Sequence, residues 1–178
     1  KISEQIYLLT QINHPHAFLP LKHFWDQGTR EIRLGILNDG WQNFKQADCL
    51  KIVTEGLTAK EPTIKDAALK SLEFITFPQA LEGLVELAAA NKNLDIQKAC
   101  YRSIAKIGTD AATEYLLDIF RTQTGDVADH IIELLKDHAQ ERMLSALDRN
   151  VNMEPSPYIR GQLQEIANTI RENRNITR

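Results

Sequence analysis

The sequence predicts an all-α protein, a right-handed α-α superhelix in which about five to six helix pairs stack on one another. Equivalent positions recur every 31 or 32 residues, as one largely apolar column shows: Ile32, Ile64, Ile96, Val127 and Tyr158. Within each unit the apolar residues recur at intervals of three and four, which places them on one face of a helix. Because a single pair cannot bury such a face, neighbouring pairs must cover it, and a continuous stack is expected.

Two further columns support the same register. The first is apolar and consists of Leu37, Leu69, Tyr101, Ile132 and Leu163. The second is small apart from His130, and its other members are Gly35, Ala67, Ala99 and Gly161. The second helices of the units also match, with Leu84 equivalent to Leu116.

The elements follow from this register in chain order. Residues 1–27 are predicted to form a divergent N-terminal pair, 28–156 four regular repeats and 157–172 a capping helix. Residues 173–178 are hydrophilic and are expected to form a frayed tail. Proline or glycine stands at the expected turns, at Pro62, Pro78, Gly108, Gly125 and Pro155. We expect a single repeat domain, and the start at Lys1 rather than Met fits a piece excised from a longer chain.

The composition narrows the classes of protein to which the chain is expected to belong. Hydrophobic residues make up 43% and charged residues 25% of the chain, with a net charge of −3 and a pI near 6.0. The net charge of such a mildly acidic chain gives no global electrostatic reason to bind nucleic acid, although it leaves a local basic patch open, so nucleic acid is not the expected partner. No apolar run reaches the length of a membrane span. The two cysteines, Cys49 and Cys100, form neither a CxxC pair nor a disulfide framework, which favours a reducing, cytoplasmic location.

The repeat unit resembles a known family. The segment DIQKACYRSIAKIGTDAATEYLLDIF, residues 95–120, is similar to HEAT-like repeats of the kind found in phycobilisome lyase proteins. The resemblance covers residues 28–172 and implies an interaction scaffold that binds its partner on a concave surface lined by second helices. This chain departs from the arginine that many family copies carry near the start of a repeat, since it has Lys65, Gln97, Ala128 and Ile159 there. The family's arginine ladder therefore does not carry over.

Acidic residues of the second helices are the candidate partner-binding residues. Overlaying these helices aligns Glu82 with Glu114 and Glu86 with Asp118, in each case off the apolar face. We expect stacking to bring the four into an acidic ridge, which suits a protein partner with a basic segment. The alternative is a solvated acidic face without a partner, because exposed charge is normal on any helix.

One polar stripe contains residue types that bind metals. At helical spacing it places Asp126, His130, Glu133 and Asp137. These ligand types could hold a divalent ion. The same spacing describes the solvated face of an ordinary amphipathic helix, and we predict no metal site.

Each cysteine is a candidate nucleophile only if its position in the repeat is ignored. Cys100 falls in a mostly apolar column, so we expect it to be buried and inert. Cys49 lies beside the charged residue Asp48 and is expected to be less buried.

The sequence thus favours a non-enzymatic scaffold without a cofactor, with two alternatives left open. The resemblance also implies an enzyme or lyase subunit that handles a tetrapyrrole. A nucleic-acid binder similar to HEAT-like DNA glycosylases would use Trp25, Trp41 and Phe44 to line a cleft, although core packing is the preferred interpretation of these aromatics. No His-Glu dipeptide occurs, so the two-iron hydroxylase activity of some HEAT-like proteins is not expected.

Overall fold

The part of the chain that the structure describes consists of helices and the short segments that connect them. The computed structural model describes residues 1–176, which contain eleven α-helices and no strand. The helices are α1 (Ile2–Gln11), α2 (Phe18–Gln27), α3 (Arg30–Asp39), α4 (Cys49–Leu57), α5 (Pro62–Ser71), α6 (Leu81–Ala90), α7 (Leu94–Ile107), α8 (Asp110–Thr122), α9 (Asp126–Asp137), α10 (Leu144–Met153) and α11 (Pro157–Ile176). They form five successive pairs and a final helix, which confirms the predicted fold class. None of the helices in residues 1–176 combines the length and apolar character that a bilayer crossing needs.

Helix boundaries follow local chemistry. Thr29 and Thr109 precede α3 and α8, and each side-chain oxygen accepts a hydrogen bond from a backbone amide in the first turn of its helix. Pro62 and Pro157 occupy the first positions of α5 and α11, where no amide donor is needed. Gly108 follows α7 with a φ of 58°, a left-handed conformation that glycine adopts readily.

The structure divides into two compact units, the first up to Ser103 and the second from Ile104 onward. In the first unit the first helices pack in order, α1 against α3 and α3 against α5, and the second helices α2, α4 and α6 do the same. In the second unit α8 packs against α9 and α10, and α10 packs against α11. Each unit is thus a layered stack of helix pairs, while the single domain over the whole chain stays a prediction.

Buried serines join successive repeats of the first unit. The hydroxyl of Ser71 shares its proton between the carbonyl oxygens of Leu37 at 2.9 Å and Ala67 at 2.8 Å, and that of Ser103 donates to the carbonyl oxygen of Leu72 at 2.5 Å. Both serine side chains are almost fully buried. Each hydroxyl thus contacts a backbone carbonyl of the preceding repeat and helps to hold the two repeats in register.

The predicted core columns are largely buried. Ile64, Cys100 and Leu163 lie in the interior, and Trp25, Trp41 and Phe44 are also core residues, as the packing interpretation requires. Ile32, Leu69 and Val127 are half-buried, whereas Tyr158 is 74% exposed. It lies in the first turn of α11, and no later helix among the described residues covers it.

The last helix is longer than predicted. It continues to Ile176, so the part of the expected frayed tail before position 177 is helical, and positions 177 and 178 lie outside the described residues. Two ion pairs join the end of α11 to the preceding repeat. Arg171 contacts both carboxylate oxygens of Asp148 at 2.6 and 2.7 Å, and Arg174 lies 3.1 Å from Glu141.

We predict that Leu84→Ala and Leu116→Ala each lower the free energy of unfolding by about 2–5 kcal/mol, because both side chains are fully buried and their loss leaves a cavity. Denaturant titration followed by circular dichroism measures the change. Leu19→Ala is the matched control, since Leu19 is 72% exposed. A loss below about 0.5 kcal/mol at both core positions, the range of surface substitutions, would contradict the assigned packing.

Candidate partner-binding surface

In the first unit the two candidate acidic residues are free. Glu82 and Glu86 lie one helical turn apart on α6, and both are exposed. Neither has an ion-pair partner among residues 1–176. The half-buried Val85 lies between them on the helix surface, while Leu84 points into the core. This face therefore offers two uncompensated carboxylates beside a small apolar area.

In the second unit the equivalent residues have partners. Glu114 accepts hydrogen bonds from the guanidinium of Arg149, at 2.6 Å from Nη2, and from the side-chain amide of Asn150 at 2.8 Å. Asp118 lies 3.7 Å from the guanidinium of Arg121 on the same helix. The protein itself therefore compensates much of the acidic charge on α8.

These contacts belong to a polar network between α8 and α10. Its members are Asp110, Glu114, Arg121, Arg149, Asn150 and Glu154. Hydrogen bonds from Arg149 to Asp110 and Glu114 raise the pKa of the Arg149 guanidinium above its usual value. At the other end, Arg121 pairs with the buried carboxylate of Glu154 at 3.3 Å and donates to the oxygen of the fully buried Asn150.

Glu114 has a basic partner because the next repeat carries an arginine where the two preceding repeats carry an acidic residue. Arg149 on α10 occupies the position that is Glu86 on α6 and Asp118 on α8, 32 and 31 residues apart along the chain. An overlay of α6 and α8 alone does not show that the charge at this position changes from negative to positive. Including α10 in the overlay identifies Arg149 as a basic neighbour for Glu114.

The polar stripe on α9 is not assembled into a metal centre. Asp126, Glu133 and Asp137 are exposed and His130 is half-buried. Within residues 1–176 no three His, Cys, Asp or Glu side chains approach one another as metal ligands would. The opposite face of α9 is buried, as expected of an amphipathic helix.

Both cysteines are fully buried free thiols. Burial raises the pKa of each thiol to about 12, so neither forms a significant amount of thiolate near neutral pH. The predicted burial of Cys100 is confirmed, whereas the expected partial exposure of Cys49 is wrong. Cys49 is the first residue of α4 and its side chain turns into the core, although the adjacent Asp48 faces solvent.

We predict that Asn150→Ala destabilises the protein by about 1–3 kcal/mol, because it removes a buried side chain that bonds both Glu114 and Arg121. Chemical denaturation measures the loss. Asn168→Ala on the exposed face of α11 is the control and is expected to have little effect. Equal stability of the two variants would show that the network is not stabilising.

The cysteines give a second prediction. At about pH 8.5, where half of a free thiol is ionised, a thiol reagent is expected to label neither Cys49 nor Cys100 in the folded protein and to label both in denaturant. Mass spectrometry counts the modified sites. Labelling of either residue in the folded state at the rate of free cysteine would contradict the burial described above.

Comparison with known proteins agrees with this architecture. A family model described as HEAT repeats matches residues 50–136, a segment that extends from α4 to α9. A search among curated proteins found no match to the chain. Residues 50–136 therefore carry the pattern of HEAT repeats, and the stacked helix pairs have the fold of a HEAT-like helical solenoid.

Proposed function

We propose that the protein is an interaction scaffold and that the exposed surface of its second helices binds a basic segment of a protein partner. The observation that carries this proposal is the pair Glu82 and Glu86, which are exposed on α6 without an ion-pair partner among the described residues. They lie within the segment that matches HEAT repeats, a type of array whose extended surfaces bind partners.

The two carboxylates would act chiefly on specificity and association rate. An exposed ion pair contributes only about 0.2–1 kcal/mol and is screened by salt. A basic segment that also covered Val85 would add apolar contact beside the two charges. Binding at this surface should therefore weaken as ionic strength rises.

Glu114 and Asp118 take a secondary part in the proposal. A partner cation that approached Glu114 would compete with Arg149 and Asn150, which already donate to its two oxygens. Release of these bonds offsets part of the gain from the new contact. The principal binding residues in the proposal are therefore those of α6.

The test uses a fluorescent lysine-rich peptide as the probe and anisotropy as the readout. Glu82→Lys combined with Glu86→Lys is expected to weaken binding at least about tenfold, because attraction at the surface becomes repulsion. The matched control is Glu133→Lys with Asp137→Lys on α9. It makes the same charge change at the same four-residue spacing on another exposed helix face.

The test compares the affinities of the two double variants for the peptide. Equal weakening would show that only net charge matters, and unchanged binding in the α6 variant would exclude this surface. Either result contradicts the proposal. Circular dichroism of each variant confirms that the helices are intact.

The tetrapyrrole and nucleic-acid alternatives stay predictions with tests of their own. Absorbance after incubation with a bilin would report a lyase-like activity. A salt-dependent shift of labelled DNA would report a nucleic-acid binder, since such binding falls steeply with salt.

A further inference from the structure

A groove separates α1 from α3 in the first unit. It has a volume of about 160 Å³. Its walls come from one face of each helix, Ser3, Ile6, Tyr7 and Thr10 on α1 and Glu31, Ile32, Gly35 and Asp39 on α3. The floor is mainly apolar, since Ile6 and Ile32 contribute aliphatic side chains and Gly35 contributes none.

The apolar surface continues beyond the groove. Five of the nine large apolar side chains that are exposed among the described residues lie between positions 2 and 19, which concentrates them on α1 and the start of α2. They are Ile2, Tyr7, Leu8, Ile12 and Leu19. Tyr7 lines the groove and is 59% exposed, so it joins the groove to the outer face of α1. Such a concentration of exposed apolar side chains is typical of a surface that contacts another protein.

Gly35 gives the groove a specific shape. A Cβ placed on this glycine would meet no atom within 4 Å, so the backbone of α3 forms an open floor there. Glycine in the middle of a helix is unfavourable compared with alanine, and the open space means that packing does not require it. The opening suits a large apolar side chain inserted from outside.

Two carboxylates stand at the ends of this opening. Glu31 precedes Gly35 by four residues and Asp39 follows it by four, so the two lie about 12 Å apart along α3. Hydrogen bonds from its own backbone amide and from Thr29 lower the pKa of Glu31, and Arg30 adds a weaker attraction. The hydrogen bonds of the two nearby arginines go to other residues. Arg30 bonds to Thr63 and pairs with Glu61 at 3.5 Å, and Arg33 donates to the carbonyl oxygen of Trp25 at 2.9 Å. The rim of the groove is therefore acidic.

We propose that the groove between α1 and α3 binds an amphipathic helix of a partner protein that places a large apolar side chain over Gly35 and basic side chains near Glu31 and Asp39. Basic residues seven or eight positions apart on that helix would span about 10–12 Å, which matches the spacing of the two carboxylates. This surface is separate from the acidic face of α6, so the inference does not depend on the proposed function.

Charge argues against a second copy of this chain as the occupant. A two-fold dimer places the same patch on both subunits, so Glu31 and Asp39 would face the same carboxylates of the other copy. Like charges opposed in an interface are unfavourable, whereas a basic helix is complementary.

The probe is a fluorescent synthetic helix of about 20 residues, long enough to be partly helical alone, with leucines at three- and four-residue spacing. Two lysines eight positions apart flank its central leucine, and the control peptide has glutamates in their place. We expect saturable binding of the lysine peptide and at least about tenfold weaker binding of the glutamate peptide, because the rim is acidic.

Gly35→Leu is the decisive variant, since its side chain would fill the groove and weaken binding at least about tenfold. Gly161→Leu on α11 is the matched control, because Gly161 also lies in a helix with open space around its Cβ position. Both substitutions improve helix propensity, so folding should be preserved, and thermal melts check this.

Several results would overturn the inference. These are absence of saturable binding, equal binding of the two peptides, unchanged binding in Gly35→Leu, and equal loss in Gly161→Leu. A dimer in sedimentation that Gly35→Leu dissociates, combined with no binding of the peptide, would assign the groove to a second copy instead. The Glu82→Lys and Glu86→Lys double variant should bind this peptide normally, which separates failure here from failure of the proposed function.

Discussion

The structure depends on burial of apolar side chains between successive helices of the same kind. Leu84, Leu116 and Leu147 recur at intervals of 32 and 31 residues, and each is completely buried in its own unit. No short helix of this type is stable alone, so each pair relies on the pairs beside it. The same repetition presents an exposed row of positions whose residues are not required for packing, and these positions can differ between repeats.

The exposed row shows how such variation changes a surface without changing the fold. One position is Glu86 on α6, Asp118 on α8 and Arg149 on α10. The acidic residue on α6 has no ion-pair partner among the described residues, whereas the arginine on α10 binds Glu114 and joins a network that includes the buried Asn150. A substitution at one position of the repeat therefore converts an exposed acidic surface into an intramolecular polar contact.

The sequence predicts those features of the structure that depend on the repeat period. The columns identify the helix pairs, their turns and the burial of Cys100, because these depend on a pattern that every repeat shares. The α8–α10 network was not predicted, since it depends on side-chain reach between neighbouring repeats. Burial of Cys49 was also missed, because a charged neighbour says little about the direction of a side chain at the first position of a helix. The groove at Gly35 follows from the open space around one backbone atom, which no residue pattern reveals.

The two surfaces proposed in the first unit would contribute differently to binding. The carboxylates on α6 would act through exposed charge, whose contribution to binding is weak and sensitive to salt. The groove at Gly35 holds about one large apolar side chain, whose burial contributes roughly 1.5–3 kcal/mol. Neither contribution alone offsets the entropic cost of association, so high affinity requires a partner that uses a longer contact or engages both surfaces. In the second case the linker between its two binding segments sets the effective concentration of the second contact, so affinity depends on linker length as well as on the two sites.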